Sequence, residues 1–345
     1  MSKSTPRTVH IAIGGVAGAA LAAIAEAVVV DDNLLLGPSS ADSTRHHTLR
    51  MRYWEGSPST ALEEELAREP GSPLCVDLPP TPRGLLSLCR ICSLAISSDS
   101  SVSVVELRPT DTGAPAPANE LPRSAFHAGA NILRDRPPAS SWSKLQIAFA
   151  ATLWRLWCRR SPVALSRFLA SGHALHPQIA SLGLYHSGIF PRLGDQGLLL
   201  SRIDELILRQ LSRGWVTPAE VYVQAATSAP ELDAWLSHTG DEYIAERLHA
   251  WFCHTRGRIV ERQKAHKSSS PMIGWSYRWH PRGEAILDVV PSLDAAPPVE
   301  VGGAVAYDPE RPWVCRVGAM AGPCVSRIPR RSRGQRIFPY RSKLS

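Results

Sequence analysis

Apolar and polar positions change period along the first hundred residues in a regular way. Residues 8–13 are a β-branched, apolar run, the turn Gly14-Gly15-Val16-Ala17-Gly18 follows, and residues 19–27 are good helix formers. Residues 28–30, Val-Val-Val, then read as a second short buried strand. The stretches 43–54 and 60–68 read as helices, the second with Glu63, Glu64 and Glu65 near its start, where they complement the helix dipole. Residues 74–78 form a strand, 83–95 a helix with Leu85, Leu88, Cys89 and Cys92 on one face, and 102–107 another strand. This alternation predicts a parallel sheet with helices on its faces, a Rossmann-like α/β domain over 1–108.

The pattern then breaks. Residues 109–122 are a Pro/Ala-rich linker. A helical region covers 123–200, in which 142–158 places Leu145, Phe149, Leu153 and Trp157 at helical spacing and 162–170 follows. Residues 201–290 suggest a winged-helix-like region. SRIDELILRQLSRG is an amphipathic helix stopped by Gly214, and TPAEVYVQAA opens on a Thr cap with Pro at the first helical position. A third helix spans 240–252, two strands lie within 256–277 around a polar turn, and YRWHPRGEAIL reads as a closing strand and following helix. Asp241 and Glu242 would stand at the start of the third helix, facing phosphates and bases, which argues against ordinary major-groove readout. Contact with protein or peptide, or a scaffold role, fits that placement at least as well. Residues 291–325 form a short β extension, a hairpin with Tyr307 and Trp313 packing on it, and 326–345 a basic disordered tail. No internal repeat has a fixed period.

Composition decides the compartment. Residues 9–30 are long enough to span a bilayer, but Glu26 falls inside and Gly and Ala, with little transfer energy, fill the run. Lys3 and Arg7 imitate the basic start of a secretory signal, yet no clean small-residue cleavage site precedes Asp31-Asp32. The cysteines number seven, an odd and scattered set that favours reduced thiols. A cytoplasmic protein without membrane contact is expected. The formal net charge of +7 permits an acidic partner, and Arg327, Arg330, Arg331, Arg333, Arg336, Arg341 and Lys343 concentrate it at the end. Such a block either is solvated or binds polyanions.

The segments VHIAIGGVAGAAL, VVVDDNLLLGPS and LRMRYWEG together resemble the bacterial domain-of-unknown-function 1835 family. Gly14, Ala17, Leu21, Asp31, Asp32, Leu34, Gly37, Pro38, Arg50 and Trp54 carry the resemblance over residues 8–108. LSRIDELIL and GDEYIAERL resemble the family's helical second half. The chain departs from the family at the first loop, where Gly14-Gly15-Val16 replaces a Gly-Asp-Ser type stretch and supplies no polar side chain. The resemblance implies a fold and no established activity.

Two readings stand for each candidate site. Gly14, Gly15 and Gly18 are either a tight turn or a loop whose N–H groups approach a phosphate, with Asp31 or Asp32 where dinucleotide folds hold a ribose. Gly37 and Arg50 complete that ligand-binding set. Arg256, Arg258 and Arg262, with Arg330, Arg331 and Arg333, are candidate contacts to nucleic acid or another polyanion. Cys89 and Cys92 form a mid-helix C-x-x-C that reads as buried thiols. His173, His176 and His186, with Asp195 beyond, lack a metal-binding pattern and read as loop histidines. No nucleophile elbow, P-loop or kinase signature occurs, Trp154 and Trp157 read as core, and no cofactor is identified. The sequence therefore points to a non-catalytic binding or regulatory module. It would take a small phosphorylated ligand at the α/β domain and protein or nucleic acid at the helical half. The alternative is an enzyme acting on a nucleotide or phosphate-bearing substrate at the carboxyl ends of the strands, with Asp31, Asp32 and Arg50 as its residues and Arg50 as anion clamp.

Overall fold

The β-branched run behind the N-terminus becomes an inner strand of a sheet. β1 (Val9–Ile13) pairs in parallel with β2 (Ala27–Val30) on one side, Ile11 opposite Val28, and with β4 (Leu74–Leu78) on the other, Ile11 opposite Val76. Parallel β5 (Val102–Glu106) follows, and antiparallel β6 (Ser140–Ser141) closes the edge, giving the order β2-β1-β4-β5-β6. Ile11, Ala12, Val76 and Val104 are sealed from solvent, as parallel strands covered on both faces must be. This computed structural model describes residues 7–14, 27–54, 59–79, 81–107, 137–171, 176, 178–194, 197–211, 214–228, 230–264, 274–281, 296–306, 313–317, 323–327 and 337–338. It is a mixed α/β structure dividing into two compact units, Met1–Arg159 and Arg160–Ser345.

The first unit also holds β3 (Gly37–Pro38), α1 (Ser43–Trp54), α2 (Ala61–Arg68), α3 (Pro82–Ser97) and α4 (Lys144–Trp157). Thr81 caps α3 by accepting from the Gly84 N–H at 3.0 Å, with Pro82 at the first helical position. A Ser143/Gln146 capping box starts α4. α4 packs on α3, so this unit runs past the 109–122 stretch, which lies outside the described residues. Its buried face is Ile147, Ala150, Ala151, Leu153, Trp154 and Trp157, whereas Leu145 is 75 % exposed. The expected Leu145-Phe149 stripe is thus displaced: a helix start carries its first turn away from the neighbour it packs against. In α1 the only buried residues are His46 and Arg50.

The second unit begins with α5 (Val163–Ala170) and α6 (Gln178–Ile189), then β7 (Arg192–Gly194) and β8 (Gly197–Leu199). α7 (Arg202–Gln210), α8 (Pro218–Ser228) and α9 (Pro230–Thr255) lead into the antiparallel hairpin β9 (Val260–Lys264) and β10 (Trp275–Trp279). The Thr cap of α8 is a capping box: Glu220 N–H donates to Thr217 Oγ1 at 3.3 Å, and Thr217 N–H to Glu220 Oε2 at 2.7 Å. The third helix starts ten residues earlier than expected, so Asp241 and Glu242 lie within α9 and the argument placing them at its N-terminus falls. β11 (Val299–Gly302) and β12 (Ala304–Ala306) form the expected hairpin. β13 (Trp313–Val317) and β14 (Pro323–Arg327) pair antiparallel, and β15 (Ile337–Phe338) lies parallel to β8, in the sheet order β14-β13-β7-β8-β15. The expectation of a disordered 326–345 tail is corrected at Ile337 and Phe338, whose apolar pair between basic residues finds a strand partner. No described helix is long and apolar enough to cross a membrane.

Candidate functional site

β1 ends at Gly14, whose N–H donates to the Val30 carbonyl at 2.9 Å. Its φ of +93° lies in the region that favours glycine, and among the described residues an added Cβ would meet nothing within 4 Å. Gly15 and Gly18 fall outside the described residues. Asp31 and Asp32 follow β2 and behave differently. Asp31 is exposed and accepts from Arg83, in the first turn of α3, at 2.8 Å on both its carboxylate and its carbonyl.

Asp32 turns inward and gathers one face of α1. His46, Arg50 and Trp54 are spaced four residues apart, so a helix presents all three to the same neighbour. Asp32 Oδ1 accepts from Arg50 Nε at 3.0 Å, from Arg50 Nη2 and from Trp54 Nε1 at 3.2 Å, while His46 Nε2 lies 3.6 Å from Oδ2. The other ring nitrogen, His46 Nδ1, accepts from the Ser40 N–H at 3.3 Å. Arg50 also donates to the carbonyls of Asn33 (3.0 Å), Leu36 and Pro38 (3.4 Å), so one buried guanidinium closes the whole 32–38 loop. Gly37 belongs to this loop: at φ +69° a Cβ would stand 2.7 Å from the Tyr53 ring, and only glycine fits. Burial by itself pushes the Asp32 carboxyl up, but the His46 contact and the Arg50 guanidinium overcome it and hold the group at about 2. For His46 burial dominates and holds the imidazole below its ordinary value despite Asp32.

The second unit repeats this chemistry. Arg247 and Trp251, again four apart on one helix, converge on Asp204. Arg247 Nε and Nη2 each donate at 2.8 Å, a bidentate fork, and Trp251 Nε1 donates at 3.3 Å. Arg247 further donates to the carbonyls of Pro297 and Pro298 at 3.3 and 3.4 Å. Both acid and base are 2 % exposed.

At the β9–β10 hairpin arginines stack on aromatics. The Arg262 guanidinium carbon stands 4.0 Å from the Trp275 ring centre and 4.5 Å from that of Phe252, and Arg278 stands 4.4 Å from that of Trp215. Arg278 Nε donates to Glu261 Oε2 at 2.7 Å. Arg262 also donates to His249 Nδ1, and burial together with this guanidinium holds His249 below its ordinary value. Arg256 and Arg258 are exposed at the end of α9, Arg256 in the left-handed conformation at φ +51°. Arg330, Arg331 and Arg333 lie outside the described residues.

The remaining candidates pack as structure. Cys89 and Cys92 are sealed inside α3; burial pushes Cys89 well up and Cys92 up to about 12. His186 is buried edge-on to Phe190, their ring centres 5.1 Å apart, and burial holds it down to about 3. His176 Nδ1 accepts locally from the Gln178 N–H at 3.2 Å; His173 and Asp195 fall outside the described residues. Trp154 and Trp157 are each 2 % exposed. Among the described residues no group of His, Cys, Asp and Glu could hold a metal ion. The sequence reading passed over His46, Arg247 and the tryptophans stacked at the hairpin. The i, i+4 repeat of His, Arg and Trp was the available signal for the first two. Asp204 lies 43 residues from its arginine, and no local spacing links them. In comparisons with known proteins the chain matches no family model and no curated protein.

Proposed function

We propose that the protein is a non-catalytic binding or regulatory module acting in the cytoplasm. Its first unit, read as Rossmann-like, takes a small phosphorylated ligand; its second, read as winged-helix-like, contacts nucleic acid or protein. The observation that carries the reading is the engagement of Asp32 and Arg50. An enzyme using Asp31, Asp32 and Arg50 would need an exchangeable proton or a guanidinium within reach of substrate. Asp32 is held ionised beneath three side chains, and Arg50 has no exposed surface and spends its donors on Asp32 and three loop carbonyls.

Several features support the rest. In open parallel sheets ligands sit outside the carboxyl ends of strands where the order reverses, here between β1 and β4. Gly14 turns the chain at that end, and the N-terminus of α3 follows β4 there. A winged helix runs helix, short strand, helix, helix, hairpin. The succession α7, Val216, α8, α9, β9, β10, with Val216 bridged antiparallel to Tyr277 of β10, fits that order. Kinship with the domain-of-unknown-function 1835 family belongs to the same proposal, and the hydrogen-bonded cluster formed by its motif residues Asp32, Arg50 and Trp54 supports it. The free thiols of Cys75, Cys89, Cys92, Cys158, Cys253 and Cys315 agree with a reducing compartment.

Thermal unfolding of the full chain against a panel of mono- and dinucleotides and sugar phosphates tests the first half. A ligand at a hundredfold excess over its Kd adds about 2.7 kcal/mol, read as a raised Tm. Gly14→Asp, which sets a carboxylate at that turn, abolishes that rise. A panel without any rise, or a rise that Gly14→Asp leaves intact, contradicts the reading.

A further inference from the structure

We infer that the partner of the second unit is double-stranded DNA, and that the β9–β10 hairpin, rather than α9, is the element that enters its groove. The inference rests on the nucleic-acid half of the proposed function and names the partner and the element that meets it.

The charge distribution rules between the two elements. α9 carries five acids, Glu231, Asp233, Asp241, Glu242 and Glu246, against one arginine. That arginine, Arg247, is buried and forked onto Asp204. A helix so charged is repelled by two phosphate backbones and has no guanidinium left for guanine. The neighbouring hairpin is the reverse. Residues 256–264 and 274–281 hold Arg256, Arg258, Arg262, Lys264 and Arg278 against Glu261 alone.

The cations also lie where a groove needs them. In the register of the hairpin, Arg262 faces Tyr277, Lys264 faces Trp275, and Glu261 faces Arg278. Successive strand residues point to opposite faces. Arg262 and Lys264 therefore share one face, where Arg262 lies against Phe252 and His249 of α9 and Lys264 is exposed, and Arg278 stands on the other beside Glu261. A ribbon lying on a single strand would want its charge on one side. A ribbon inserted between two phosphate walls wants it on both, and the B-DNA major groove, about 12 Å wide, admits a two-stranded ribbon. The stacks serve the same end: Trp275 and Phe252 fix Arg262, and Trp215 fixes Arg278, so these guanidinium groups lose less freedom on binding.

The test is fluorescence anisotropy of the full chain with a labelled duplex of about 24 base pairs and, separately, its single strand, from low to moderate salt. The duplex binds roughly tenfold tighter than the single strand. Arg262→Gln and Arg278→Gln each weaken duplex binding about five- to tenfold and lower the salt slope by about one. Lys264→Gln, at an exposed position, does the same and stands in if Arg262→Gln fails to fold. Asp241→Asn, which would tighten binding severalfold if α9 lay in the groove, changes it less than twofold. Equal or tighter single-strand binding overturns the inference. So does loss of binding only on combined Arg330→Gln, Arg331→Gln and Arg333→Gln, which assigns the contact to the tail; in both cases the nucleic-acid reading stands. Absence of binding to either form overturns the inference and the nucleic-acid reading together.

Discussion

At the residue scale, three buried groups tie the fold to pH. His186 is held down to about 3 by burial, Asp32 is held at about 2 by His46 and Arg50 against its burial, and His46 sits below its ordinary 6.5. Each has a lower pKa folded than unfolded, so the unfolded chain takes up the proton first as pH falls. Stability is therefore full above about 6.5, declines through the histidine range toward 3, and loses the Asp32 contribution between about 4 and 2. No single group adds more than ~1.4 kcal/mol per pH unit to that slope. Urea unfolding at pH 7, 6, 5 and 4 shows the decline, and His186→Phe, which removes the titration beside Phe190, flattens it. An unchanged slope in that variant contradicts the burial argument.

At the element scale, α1 is docked by polar groups. A sequence pattern finds helices through apolar stripes, and 43–54 was legible as a helix, but its buried face is His46 and Arg50 and so gave no hint of what it packs against. The same blindness hid Asp204 beneath α9. There Gly240, which lies within the helix, read as a start, and the acids beyond it were misplaced. The strands were legible because their apolar runs are short and largely buried, a signal that needs no partner to interpret. Removing the Asp32 or Asp204 carboxylate leaves a buried guanidinium without its counter-ion, which costs about 3–5 kcal/mol. Asp32→Ala and Asp204→Ala each lower the midpoint of chemical denaturation accordingly. An Asp32→Ala protein as stable as the parent would free that carboxylate for catalysis and favour the enzyme alternative.

At the scale of the whole molecule, charge is sorted by element. The net +7 is not spread evenly: α9 is acidic, while the β9–β10 hairpin and the residues from Arg327 onward are basic. Net charge alone suggested an acidic partner and pointed first to the tail; pairing of the strands is what gathers a cationic hairpin from residues scattered over 256–281. The most direct measurement is amide hydrogen exchange of the full chain with and without duplex DNA. Slowed exchange at 258–264 and 274–281, with 241–255 unchanged, is the predicted result. Protection confined to α9 or to the residues after 327, or no protection anywhere, would contradict the account.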